Sequence, residues 1–184
     1  MKDLAEFIES HSRKELRPEP HERGNIDEPV HHLPSGEGIL FRPAREDDRV
    51  SVASLLSSLG YPVCPSEVLP ILQTVLRTSH VEVFLACLDG SQVVGLISLL
   101  HFPSLRLQGY QVDIEELVVH RQHRGKGIGR ELIRFAVNHA QAKGAVMIEV
   151  LTNRGRESFT RRFYEKNGFS LSDHAVYRLE PKRP

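Results

Sequence analysis

The chain has 184 residues, 40% hydrophobic and 26% charged, with 24 Lys and Arg balanced by 24 Asp and Glu. That is the composition of one soluble globular domain with a full core, and zero net charge gives no general electrostatic reason to expect nucleic acid or an anionic membrane as a partner. No apolar run approaches a membrane span, the acid-bearing start Met1–Glu6 does not read as a signal peptide, and Cys64 and Cys87 form no C-x-x-C, so a reducing cytoplasm is expected. In residues 1–38, Leu4, Phe7 and Ile8 suggest a short helical face, and the remainder is polar, with Pro18, Pro20, Pro29, Pro34 and the pair His31-His32. Proline at that density resists regular structure, so residues 1–38 read as a flexible arm and 39–184 as the domain.

The domain opens on a strand at 39–42. Asp47 or Asp48 can cap a helix carrying Val50, Ala53, Leu55, Leu56 and Leu59, ended by Gly60-Tyr61-Pro62. Ser66 is the expected cap of a second helix through Leu76, with Pro70 in its first turn. Residues 81–88 and 92–100 are strands joined by Asp89-Gly90-Ser91, a hairpin signal. A loop at 102–109, a strand at 112–119, a helix at about 127–142 and a buried strand at 146–151 follow. A helix at 157–167 and two short strands, 169–171 and 175–179, are expected to close the sheet.

The chemistry concentrates between the strand at 112–119 and the helix after it, where Arg124-Gly125-Lys126-Gly127-Ile128-Gly129 precedes Arg130. Glycines at a strand-to-helix turn admit a close ligand, and the unpaired N–H groups of the first helical turn then face it. Those donors and the helix dipole favour an anion, most naturally a phosphate. A P-loop is excluded because no hydroxyl follows the lysine, and a dinucleotide fingerprint lacks its third glycine, where Arg130 stands.

R-x-x-G-x-G after the strand I-E-E-L-V-V resembles the acyl-CoA-binding signature of the GNAT superfamily of N-acyltransferases. Arg162-Phe163-Tyr164-Glu165-Lys166-Asn167-Gly168-Phe169 resembles that family's F-Y-E-K-x-G-F element, and Asn153 stands where an asparagine is often found. The resemblance runs from about Ile39 to Leu179. It implies an α/β (mixed α+β) fold: a central, mostly antiparallel mixed sheet splayed at the acyl-CoA site, with helices on both faces. It also implies acetyl-CoA as acyl donor, a pantetheine arm paired with the backbone of Leu117, Val118 and Val119, and contacts from Arg124 through Arg130 and from Asn153.

Tyr164 is then the expected general acid, protonating the departing CoA thiolate. The base that frees the amine is Asp113 or Glu115 by the resemblance, with Glu149 a third option and Glu115 favoured. Asp113 and Glu115 fall on one face of their strand and Glu116 on the other, unless a bulge shifts the phase. No metal is expected: His120-x-x-His123 has no third ligand nearby in sequence. The reading is direct acetyl transfer to a primary amine in a ternary complex, the amine being a small molecule or a protein N-terminus or lysine. The alternative is a non-catalytic acyl-CoA-binding module. A homodimer is left open.

Overall fold

The computed structural model describes residues 30–181. Six strands form one sheet in sequential order: β1 (His31–His32), β2 (Gly38–Pro43), β3 (Val81–Leu88), β4 (Gln92–Ser104), β5 (Gly109–Val119) and β6 (Ala145–Val150). Every pairing is antiparallel except β5–β6, which is parallel. α1 (Arg49–Leu59) and α2 (Pro65–Leu76) lie between β2 and β3, α3 (Ile128–Ala142) crosses between β5 and β6, and a single turn, α4 (Glu157–Thr160), follows. This is the mixed, mostly antiparallel architecture expected.

The alternation of side chains across the strands builds two cores, one on each face. On one face Leu132, Ile133, Ala136 and Ala140 of α3 pack on Phe41, Phe84, Val94, Ile97, Leu99, Val112 and Ile114. On the other, Val52, Ala53 and Leu55 of α1 and Val68 and Leu72 of α2 pack on Leu85, Cys87, Leu96 and Val118. α3 is placed by its patterning: its buried apolar residues 128, 132, 133, 136 and 140 recur at helical spacing.

Several local expectations are corrected. The sheet begins at His31, and Leu33 is buried in the core, so ordered structure starts inside the segment read as an arm. The Leu4–Phe7–Ile8 helix falls outside the described residues. α2 is capped by Cys64 with Pro65 at its first position, which puts Pro70 in the second turn rather than the first. The loop expected at 102–109 is cut to 105–108, because β4 runs on to Ser104 and β5 begins at Gly109. The helix at 157–167 is reduced to α4 and a 3-10 turn at Glu165–Asn167, since Arg162 between them takes φ 54°, which ends right-handed helix. The strands expected at 169–171 and 175–179 do not form. Leu171, Val176, Tyr177 and Leu179 are all well exposed, and β-propensity without a surface to pack on does not make a strand.

Candidate active site

β5 changes character at Glu115. Against β4, Ile114 pairs with Leu99 and Glu116 with Ser98, so Glu115 is the extra residue of a β-bulge. Against β6, pairing ends at Ile114–Val150. From Glu115 to Val119 the β6-facing edge of β5 therefore has no strand partner among the described residues. Leu117 and Val119 pack into the α3-side core and Val118 into the opposite one. Backbone groups alternate between the two edges of a strand, and His120 N donates to Val94 O of β4, so Leu117 and Val119 present their backbone to the open edge while that of Val118, expected there as well, faces β4. An extended amide-bearing ligand can pair there as an added strand.

The open edge leads through a 3-10 turn, Arg121–His123, into the glycine loop. Gly125 (φ 79°) and Gly127 (φ 93°) hold left-handed backbone, and Gly127 caps α3. A Cβ on Gly127 would come 3.0 Å from Pro34 Cδ, so the loop is closely covered there. The N–H groups of Gly127, Ile128, Gly129 and Arg130 donate to no protein acceptor among the described residues, and Glu131 N is the first to bond back, to Gly127 O at 3.1 Å. Unspent donors at a helix N-terminus suit a phosphate. Lys126 and Arg130 are exposed beside them. Arg124 is differently employed: its guanidinium donates to Val119 O (3.1 Å) and Ser58 O (3.0 Å), tying the loop to β5 and to the end of α1.

The bulge also resolves the acids. Asp113 is opposite Leu100 and Glu116 opposite Ser98, so these two share the α1/α2 face, and Glu115 stands between them. Gln111 Nε2 donates to Asp113 Oδ1 (2.9 Å) and to Glu149 Oε2 (2.8 Å). Ser98 Oγ donates to Glu116 Oε2 and accepts from Glu116 N at 3.0 Å. Glu115 alone of the four has no hydrogen bond or ion pair among the described residues. Burial, then the charges of Glu116 and Asp113, push its carboxyl above the ordinary glutamate value. Gln111 and Ser98 escaped the sequence reading because they reach the acids by cross-strand and two-residue contacts that carry no motif.

Tyr164 follows Phe163, whose ring comes within 3.4 Å of a Cβ built on Gly129, with Val119 at 3.7 Å from the same point. The second motif is thus folded against the first. Tyr164 packs edge-on to Phe163 (5.2 Å) and Phe169 (6.0 Å). Burial raises its phenol above the ordinary value, against a hydrogen bond with Thr152 and the charge of Arg156. Asn153 Oδ1 accepts from Gly155 N at 2.8 Å, an Asx turn that shapes the exit from β6. His120 and His123 have ring centroids 5.9 Å apart and join no third ligand type among the described residues.

Residues 50–169 match the sequence profile described as the Acetyltransferase (GNAT) family. The chain belongs to that family. Among relatives of this GNAT chain, N-acetyltransferase family 8 member 3 of Rattus norvegicus is 29% identical over 112 residues, 61% of this chain and 48% of the relative. Aminoalkylphosphonate N-acetyltransferase of Salmonella typhimurium is 36% identical over 85 residues, 46% of this chain and 54% of the relative. The GNAT chain thus spans about half the length of these curated relatives. A solved structure named as a transcriptional regulator from Bacillus halodurans C-125 superposes with a TM-score of 0.68 at 28% identity, covering 77% of this chain and 99% of the other. No helix among the described residues is long and apolar enough to cross a membrane.

Proposed function

We propose that this GNAT chain transfers the acetyl group of acetyl-CoA to a primary amine by direct attack within a ternary complex. The observation that carries the reading is the continuity of the open β5 edge, 115–119, with the unspent N–H groups that begin α3. The edge offers backbone pairing to the pantetheine amides, and the helix start offers donors to the pyrophosphate. Leu117 and Val119 serve the first role, and Val118 between them holds β5 to β4. Gly125, Lys126, Gly127, Ile128, Gly129 and Arg130 serve the second, with Arg124 holding the loop in place and Asn153 shaping the strand end beside it.

In the chemical step Glu115 accepts a proton from the ammonium group, with Asp113 the second candidate. The freed nitrogen attacks the thioester carbonyl and the C–N bond forms; the nitrogen then gives its second proton to water as the C–S bond breaks, and Glu115 passes its own proton to solvent. Tyr164 gives its proton to the leaving thiolate and is reprotonated from solvent. A raised carboxyl suits the first role and an unionised phenol the second.

The test is a panel of amines with acetyl-CoA, following free thiol: aminoalkylphosphonates, polyamines, and peptides with free N-termini or lysines. Turnover on one class supports transfer and names the acceptor. Tight acetyl-CoA binding with no thiol release on any class rejects it in favour of a binding module, a reading that the regulator name of the Bacillus halodurans structure keeps in view.

A further inference from the structure

At the far end of α3, some 16 Å along the helix from the glycine loop at 1.5 Å per residue, lies a cluster the transfer chemistry does not use. Glu82 of β3, His101 of β4 and His139 of α3 converge, their ligand-type atoms all within 4.8 Å of one another. Both imidazoles aim the same atom at the same oxygen. His101 Nε2 is 2.7 Å and His139 Nε2 2.8 Å from Glu82 Oε2. The His101 nitrogen is wholly buried, yet its contact is out of line for a hydrogen bond. Lys143 Nζ donates to the other carboxylate oxygen, Oε1, at 2.7 Å.

We propose that Glu82, His101 and His139 form a zinc-class divalent metal site that ties the last turn of α3 to β3 and β4. Two imidazoles and one carboxylate, with a fourth position for water, are an established donor set for tetrahedral zinc. Imidazole donors disfavour calcium and magnesium, which take oxygen ligands. Two metal bonds of 2.0–2.1 Å at a tetrahedral angle separate their ligand atoms by about 3.3 Å. Loading the site therefore asks each ring to withdraw from Oε2 by about half an ångström. The lysine is compatible with this, since its hydrogen bond is to Oε1 while the imidazoles meet Oε2, and an outer hydrogen bond steadies a ligating carboxylate. Aromatic packing fixes the helical ligand: Phe135 stacks on His139 at 5.7 Å and Phe84 meets it edge-on at 4.9 Å. Access is through the helix side, where the His139 side chain is 24% exposed while Glu82 and His101 are 9% and 11%.

The site is independent of the proposed transfer reaction, and so is its test. The full chain is stripped with chelator, then titrated with zinc by calorimetry and with cobalt by visible absorption. The expected result is saturable binding of zinc at this site, the visible bands of low-coordinate cobalt, and a rise in melting temperature on zinc addition. His139→Gln and His101→Gln should each weaken zinc at least about 100-fold and abolish the cobalt bands, a larger loss than outer-shell changes give. His120→Gln/His123→Gln, which removes two histidines of the loop after β5, should retain both. Glu82→Gln strips a buried network and can fail to fold, so His139→Gln, at the most exposed of the three ligands and checked by circular dichroism, is the deciding one. No saturable zinc binding in the parent chain overturns the proposal, and so does parent affinity in folded His139→Gln.

Discussion

Tyr164 and Glu115 divide the chemistry between two protonation events, and each makes a separable prediction. Tyr164→Phe removes a hydroxyl and almost no volume. Turnover should fall by about 10²–10⁴-fold while acetyl-CoA affinity stays near the parent value, as steady-state kinetics beside calorimetry will show. Parent turnover in that variant would leave thiolate protonation to water. Glu115 acts as a base only when ionised, and Glu116 is one of the charges that raises its carboxyl. Glu116→Gln should therefore move the acidic limb of the pH–rate profile to lower pH; an unmoved limb would assign the base elsewhere. As residue types these acids and the tyrosine were legible in the sequence. Which acid stands free was not, because Glu115 is set apart by a bulge defined only by the partner strand, and Asp113, Glu149 and Glu116 are engaged by Gln111 and Ser98 through tertiary contacts.

Among elements, the glycine loop and α3 were the most legible, since a loop motif and helical periodicity agree over the same residues. The starts of α1 and α2 were less so. Asp48 precedes α1 as expected, but its side chain does not cap the helix. It receives two hydrogen bonds from Arg42, at 2.7 and 2.8 Å, and one from Arg45 N at 2.8 Å. Burial alone would raise this carboxyl, and the bonds from Arg42 and Arg45 bring it below its ordinary value. A depressed folded value means that its contribution to stability is complete above the unfolded aspartate pKa of about 3.9 and is lost as pH falls through the folded one. Asp48→Asn should cost about 1–3 kcal/mol at neutral pH and flatten the acid end of the stability curve, measured by urea unfolding across pH. At α3, Gly129→Asp tests the anion site. A carboxylate at the second helical position suits the helix dipole, and the added Cβ meets Phe163 at an ordinary 3.4 Å, so the fold should hold. Acetyl-CoA should nonetheless bind at least about tenfold more weakly, ~1.4 kcal/mol; unchanged affinity in the folded variant would end the phosphate-loop reading. The missing strands at 169–171 and 175–179 mark the opposite limit, where local pattern was clear and no neighbouring surface took it up.

For the molecule as a whole, the two-sided core was legible from periodicity, whereas the Glu82 cluster was not: its members are 19 and 38 residues apart and meet only when α3 lies across β3 and β4. That face depends on Leu132, fully buried in the second turn of the helix. Leu132→Ala should cost about 3–5 kcal/mol, read as a lowered urea midpoint at unchanged slope, and a loss under 1 kcal/mol would show that α3 is not the keystone of that core. The strand order has a further consequence. Each of β2 to β6 pairs with the strand synthesised just before it; two helices intervene between β2 and β3, and one helix crosses the sheet to set β6 parallel to β5. A chain emerging from the ribosome can therefore pair its strands in order of synthesis, with β3 to β5 as the local meander and β2–β3 and β5–β6 as the two longer closures. The parallel strand is the last to dock, and the amides that bond β6 to β5 should be the last in the sheet to gain protection in pulsed hydrogen exchange during refolding. The open edge beside the glycine loop then takes shape at the close of folding, when the neighbour that stops short of it arrives.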